Sequence, residues 1–134
     1  MSEGKEHYSY AEYAKKEIAE GFDDLRFGGP IGSWMRQHQD EQLSRWLGDV
    51  RGKSILDIGA GTGRTAIPLS KAGATVTAAD ASEAMLEVAK TKAKEAGTQL
   101  DFSACDIMDL PFDDKAFDKV LCFRVLLHVT DWKK

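Results

Sequence analysis

Ten residues constrain this chain more than any others: Ile55-Leu56-Asp57-Ile58-Gly59-Ala60-Gly61-Thr62-Gly63-Arg64. An apolar run carrying one acid gives way to three alternate glycines and then to a segment of helical character. Such a tract reads as a strand entering a tight turn almost free of side chains, followed by a helix whose N-terminus faces whatever lies over the turn. Glycine permits positive φ and lets a ligand approach without meeting a Cβ. The unpaired N–H groups of a helix start, with the helix dipole, favour anionic groups there. The spacing is G-x-G-x-G and not the G-x-G-x-x-G of dinucleotide-binding turns, and Asp57 stands two residues before the first glycine.

Around this tract the pattern alternates between strand and helix. Ser54–Ile58 reads as the first strand and Thr62–Ala72 as a helix ended by Gly73. Pro68 inside that helix predicts a kink, because it removes a hydrogen bond and crowds the carbonyl four residues back. Thr75–Ala79 is a second strand ending at Asp80, and Ser82 caps a helix that runs to Ala96 and stops at Gly97. Leu100–Ala104 and Phe117–Phe123 complete four strands. Strands separated by helices predict a doubly wound, mainly parallel α/β sheet. Ahead of it, Ser9-Tyr10-Ala11-Glu12 has the form of a capping box, with Gly21 as the stop of that helix. A loop at Phe27–Pro30 and a helix from about Ile31 to Leu47 follow. Ile31, Met35, Leu43, Trp46 and Leu47 form the apolar side of that helix.

A length of 134 residues suits one core-forming domain, and 43% hydrophobic with 30% charged residues reads as a soluble globular chain. The net charge of −4, without a basic block, argues against nucleic acid as the main partner. Cys105 and Cys122 lack zinc or CxxC spacing, so no metal is expected and both read as reduced core thiols of a cytoplasmic protein. The first residues are polar and hold no secretory signal, and no run approaches a membrane span.

Asp57, Asp80 and Asp106 fall at strand ends, which share one edge of a parallel sheet where ligands bind. Asp80, 23 positions after Asp57, can accept both hydroxyls of a ribose through its two oxygens. It could also cap the next helix, although Ser82 is better placed for that. Asp106 offers an acceptor to an adenine amine; the alternative is a solvated turn acid, a role that also suits Asp109.

The tract at 55–64 resembles the first motif of the class I S-adenosylmethionine-dependent methyltransferases. The segments 106–112 (DIMDLPF), 117–122 (FDKVLC) and 125–129 (VLLHV) resemble the later motifs of the branch that acts on small molecules. These four matches come in order across residues 52 to 132. The resemblance implies S-adenosyl-L-methionine as cofactor and a small-molecule methyl acceptor. It places Gly59, Ala60, Gly61 and Gly63 around the methionine and ribose, with Asp57 holding the turn and the amino group. Asp80 takes the ribose, Ala81, Ser82 and Met85 line the adenine side, and Asp106 with the Ile107 N–H reads adenine. Phe123, in Cys122-Phe123-Arg124, lies near the methionine amino group. Met85 is equally an ordinary core methionine.

His128 is the candidate general base, its unperturbed pKa suiting proton removal near neutrality. A histidine there is also a common packing or capping residue. A base is optional, since an electrophilic methyl can be transferred largely by in-line positioning. Tyr13, Trp34 and Arg36 could close over the cofactor or pair with its carboxylate; helix packing and surface charge are the plainer roles.

The resemblance implies a Rossmann-like, seven-stranded sheet, and the four strands present correspond to the order 3-2-1-4. An incomplete version of that fold is expected: residues 1–50 as a helical segment on the lid or substrate side, and 51–134 as a truncated cofactor-binding α/β domain. Two functions compete. One is a methyltransferase or its cofactor-binding part. The other is a non-catalytic module that binds S-adenosylmethionine or S-adenosylhomocysteine and acts through self-assembly. A nicotinamide-dependent dehydrogenase is disfavoured by the glycine spacing and by Asp106. The fourth strand, apolar on both faces with no later strand to cover it, predicts a homo-oligomer, with a dimer favoured.

Overall fold

A computed structural model describes residues 8–123 and Val125, with the side chains of residues 8–10 left aside. His128 and Arg124 lie outside the described residues. Three helices come first: α1 (Tyr8–Tyr13), α2 (Lys16–Phe27) and α3 (Gly29–Leu47). The α/β part follows as β1 (Ser54–Ile58), α4 (Ala66–Lys71), β2 (Thr75–Asp80), α5 (Glu83–Glu95), β3 (Asp101–Ala104) and β4 (Lys119–Cys122). The strands form one sheet in the order β3-β2-β1-β4, and every pairing is parallel. The chain thus has the Rossmann-like architecture read from its sequence.

Period-two alternation along the central strands builds two apolar layers. Ile55, Val76 and Ala78 pack with Ala66 and Leu86 of the helices. Leu56, Ile58 and Ala79 face the opposite way, against Ile107, Leu110, Phe112 and Phe117 from the loop between β3 and β4. Both inner strands are therefore covered on each face, as a parallel sheet requires.

Several local expectations are corrected. The first predicted helix is two helices, parted at Lys15 (φ −77°, ψ 130°), and Gly21 is no stop, since α2 runs on to Phe27. The loop at Phe27–Pro30 shrinks to Gly28, which ends α2 and begins α3, with Pro30 in the first turn where its missing N–H costs nothing. The helix after the glycines starts only at Ala66, so Pro68 also lies in a first turn and no kink arises. Of the apolar side assigned to α3, only Leu43 is buried and Leu47 half-buried; Ile31, Met35 and Trp46 are exposed. The inward stripe instead passes through Gly32, Gln39, Asp40 and Leu43, because Arg64 draws Gln39 and Asp40 toward the core. Of the two expected core thiols, Cys105 is half-buried and packs against the second apolar layer, whereas Cys122 is exposed on β4, an edge strand of the described sheet.

Candidate functional site

The strand ends Ile58, Asp80, Ala104 and Cys122 share one edge of the sheet, and the connection from β1 turns back over it. Gly59 and Ala60 donate their N–H groups to the Ala79 carbonyl at 2.7 and 3.0 Å, and Gly63 donates to Ala60 at 3.0 Å. Gly61 has φ +56°, and a Cβ there would project into open space with no protein atom within 4 Å. Gly59, at φ +70°, has no room for one, because it would run into the Val125 side chain. The first position therefore lets the chain fold, while the second keeps a hollow clear.

That hollow is a cavity bounded by Asp57 and Gly59–Thr62 on one side and by Asp80, Ala81, Ser82 and Met85 on the next. Cys105, Ile107 and Leu110 line it beyond β3, and Phe123 and Val125 beyond β4. The remaining wall comes from the N-terminal helices, through Tyr13, Phe22, Asp23, Arg26 and Phe27. Ten of the sequence-selected residues meet here: Asp57, Gly59, Ala60, Gly61, Asp80, Ala81, Ser82, Met85, Ile107 and Phe123. Gly63 is buried behind the turn, where a Cβ would stand 3.1 Å from Ile67 and 3.3 Å from Ala89. Asp106 does not line the cavity; it is exposed, and its carboxylate accepts the Met108 N–H at 2.9 Å in a turn of its own. Trp34 and Arg36 also stand outside it.

The acids at the cavity are electrically distinct. Asp80 accepts the Gly61 N–H at 2.9 Å on one oxygen and the Ser82 N–H at 2.8 Å on the other. Ser82 caps α5 through the Met85 N–H at 3.2 Å, which leaves Asp80 as a buttress of the turn and not the cap. Burial raises the Asp80 pKa, and the two backbone hydrogen bonds oppose that rise. Each oxygen keeps a further lone pair for a hydroxyl donor. Asp57, 3% exposed, has an oxygen with no hydrogen-bond partner. Burial pushes its pKa up to about 7, the Asp80 charge adds to the rise, and Arg64 works against it. A buried carboxyl of this kind calls for a cationic or N–H donor from whatever fills the cavity.

Sequence reasoning missed Asp23, Thr62, Arg64 and Phe27. Thr62 donates to Asp23 at 2.9 Å, and the Arg64 guanidinium lies 4.3 Å over the Phe27 ring while reaching Gln39 at 3.1 Å. Thr62 and Arg64 carried a signal, their places within and directly after the glycines. The others depend on a helix that approaches the turn from far along the chain.

Comparison with known proteins gives the family and the fold. Residues 55–134 match the model of a methyltransferase domain. The chain is 38% identical over 89 residues to a ubiquinone biosynthesis O-methyltransferase of Rickettsia felis, covering 66% of this chain and 36% of that protein. It is 41% identical over 91 residues to a demethylmenaquinone methyltransferase of Clavibacter sepedonicus, covering 68% and 37%. The chain thus spans little more than a third of the length of these curated relatives. Among solved structures, the magnesium protoporphyrin IX methyltransferase of Synechocystis PCC 6803 with bound SAM superposes with a TM-score of 0.78. The identity is 25%, covering 99% of this chain and 68% of that one.

Proposed function

The chain belongs to the methyltransferase-domain family, and from that premise we propose that it binds S-adenosyl-L-methionine in the cavity over the glycine turn and takes part in methyl transfer to a small molecule. The observation that carries the reading is the unpartnered, buried oxygen of Asp57 at the cavity wall, beside a turn kept free of side chains at Gly61. An α-ammonium group answers the first feature, and a ligand chain passing close to backbone answers the second. When bound, the cofactor supplies an electrophilic methyl on a positively charged sulfur.

The chain's own residues then have distinct tasks. Asp57 would accept from the ammonium, and Asp80 from the ribose hydroxyls while it stays bonded to the turn. Met85, Ile107 and Leu110 offer apolar surface to the adenine, and Asp106, next to Ile107 though outside the cavity lining, is kept as the proposed acceptor for its amine. Phe22 and Phe27 exclude water from the side facing the N-terminal helices. We assign those helices to the acceptor side and the remainder to the cofactor. His128 remains the candidate base. The relatives' names support the enzymatic reading over a non-catalytic cofactor-binding module that acts through self-assembly, and the acceptor is a small molecule yet to be identified.

Calorimetry with S-adenosylmethionine, S-adenosylhomocysteine and NAD tests this, followed by a labelled-methyl screen of small acceptors. The first two should bind and NAD should not. Asp80→Ala should weaken binding by about 1–3 kcal/mol, the usual value of a hydrogen bond to a charged group. Gly61→Val should weaken it more, by filling the hollow and resisting positive φ. Normal binding by Gly61→Val would place the site elsewhere.

A further inference from the structure

The N-terminal helices form one wall of the cavity, and α2 has modest apolar burial: Ala19 is its one fully buried residue, beside half-buried Ile18, Phe22 and Phe27. Polar contacts tie α2 to the rest of the chain as well. One oxygen of Asp23 accepts from the Thr62 hydroxyl at 2.9 Å, and the other pairs with Lys92 of α5. Thr62 is itself 3% exposed and sits between Gly61 and Gly63, so this one carboxylate ties a helix of the cavity wall to the turn. At the far end of the wall, Ser82 donates to the Tyr13 carbonyl at 2.5 Å. A ligand resting against α1 and α2 leaves more readily when part of that wall moves. Elements with few buried apolar contacts are the ones that open locally.

We propose that Asp23 is a positioning residue that latches α2 onto the glycine turn and α5, and so sets the rate at which the cofactor exchanges. This rests on the cavity being the cofactor site. Asp23 acts through Thr62 and Lys92. The Thr62 bond fixes the turn, and the Lys92 pair fixes the helix. The latch is half electrostatic and partly open to solvent, which makes it sensitive to salt. Asn in place of Asp23 keeps an acceptor for Thr62 and loses the ion pair, whereas Ala loses both.

The test is stopped-flow dissociation of S-adenosylhomocysteine, with hydrogen exchange of the α2 amides measured on the ligand-free protein. Asp23→Ala should release the ligand roughly tenfold faster, as expected for loss of charge-assisted hydrogen bonds. Asp23→Asn and Lys92→Gln should each fall between it and the wild type. Asp23→Ala combined with Lys92→Gln should add little to Asp23→Ala alone, and raising the salt should speed release from the wild type but not from Asp23→Ala. Without ligand, α2 amides should exchange faster in Asp23→Ala while those of β1 and β2 do not. Wild-type release rates in both Asp23 variants, or unchanged α2 exchange, would overturn the latch. Failure of the wild type to bind S-adenosylhomocysteine would instead overturn the cofactor assignment, and the exchange data would still decide whether Asp23 holds the helix.

Discussion

Asp57 is the residue on which pH should act most. In the folded chain it holds its proton up to about pH 7, and unfolded only to about pH 3.9. Between those values the folded state binds more protons than the unfolded one, so stability of the ligand-free protein falls as pH rises through that window. Asp57→Asn removes this penalty. Urea titrations should find the two proteins similar at pH 4 and the variant more stable at pH 8, by a margin on the order of 4 kcal/mol. Ligand binding has the opposite sign, because an ammonium group needs the ionised carboxylate. Affinity for S-adenosylhomocysteine should fall as pH drops below 7, by up to about tenfold per unit, and the variant should lack that slope. A wild-type affinity that is flat from pH 6 to 8 would remove Asp57 from the ammonium site. This much was open to reading from a single acid two places before a glycine; the neighbouring charges that tune it were not.

At the scale of elements, periodicity located the four strands and α5, because β1, β2 and α5 each bury a regular set of apolar residues. It failed for α3, whose inward stripe is set by an arginine on another element and not by its own apolar residues. It failed for α1 and α2 because Gly21 is a weak stop within a helix that packs against α3 and α5. It also passed over Asp118. Just before β4, that carboxylate accepts the Ser54 N–H at 2.9 Å and the Ser54 hydroxyl at 3.2 Å, while the Asp118 N–H reaches back to the Ser54 hydroxyl at 2.9 Å. This reciprocal clamp pins the β1–β4 register at the end of the sheet away from the cavity, so that Ile58 stands beside Cys122 at the other. The hydrogen bonds to Ser54 lower the Asp118 pKa, so the clamp holds above the ordinary carboxylate range and is lost as acid protonates it. Asp118→Ala should speed hydrogen exchange of the β4 amides while leaving β2 and β3 protected. Asp118→Asn, which keeps an acceptor, should do so less. Equal protection of β4 in all three proteins would show that register is set by packing alone.

Among the described residues, several large apolar side chains are exposed. Ile31, Trp34 and Met35 lie within one turn of α3 and are exposed, as is Trp46 near its end. On the sheet, Val120 of β4, an edge strand that pairs on one side only among the described residues, is 59% exposed. An apolar strand of this kind is a template for another chain. The sequence reading expected self-association from the composition of β4, and the exposure of Val120 gives that expectation a residue on which to test it. The 134-residue chain is therefore expected to self-associate, with a twofold dimer as the simplest closed arrangement. Sedimentation across a concentration series should show weight-average mass rising from micromolar upward. Val120→Lys should shift that rise to higher concentration, since a charged side chain discourages edge pairing, without altering S-adenosylhomocysteine affinity, because Val120 is not part of the cavity. If Val120→Lys left the mass profile unchanged while Trp34→Ser flattened it, the contact would belong to α3 and not to the strand. A wild type that stays monomeric at high micromolar concentration, with cooperative unfolding, would show that the described sheet tolerates an open edge on its own.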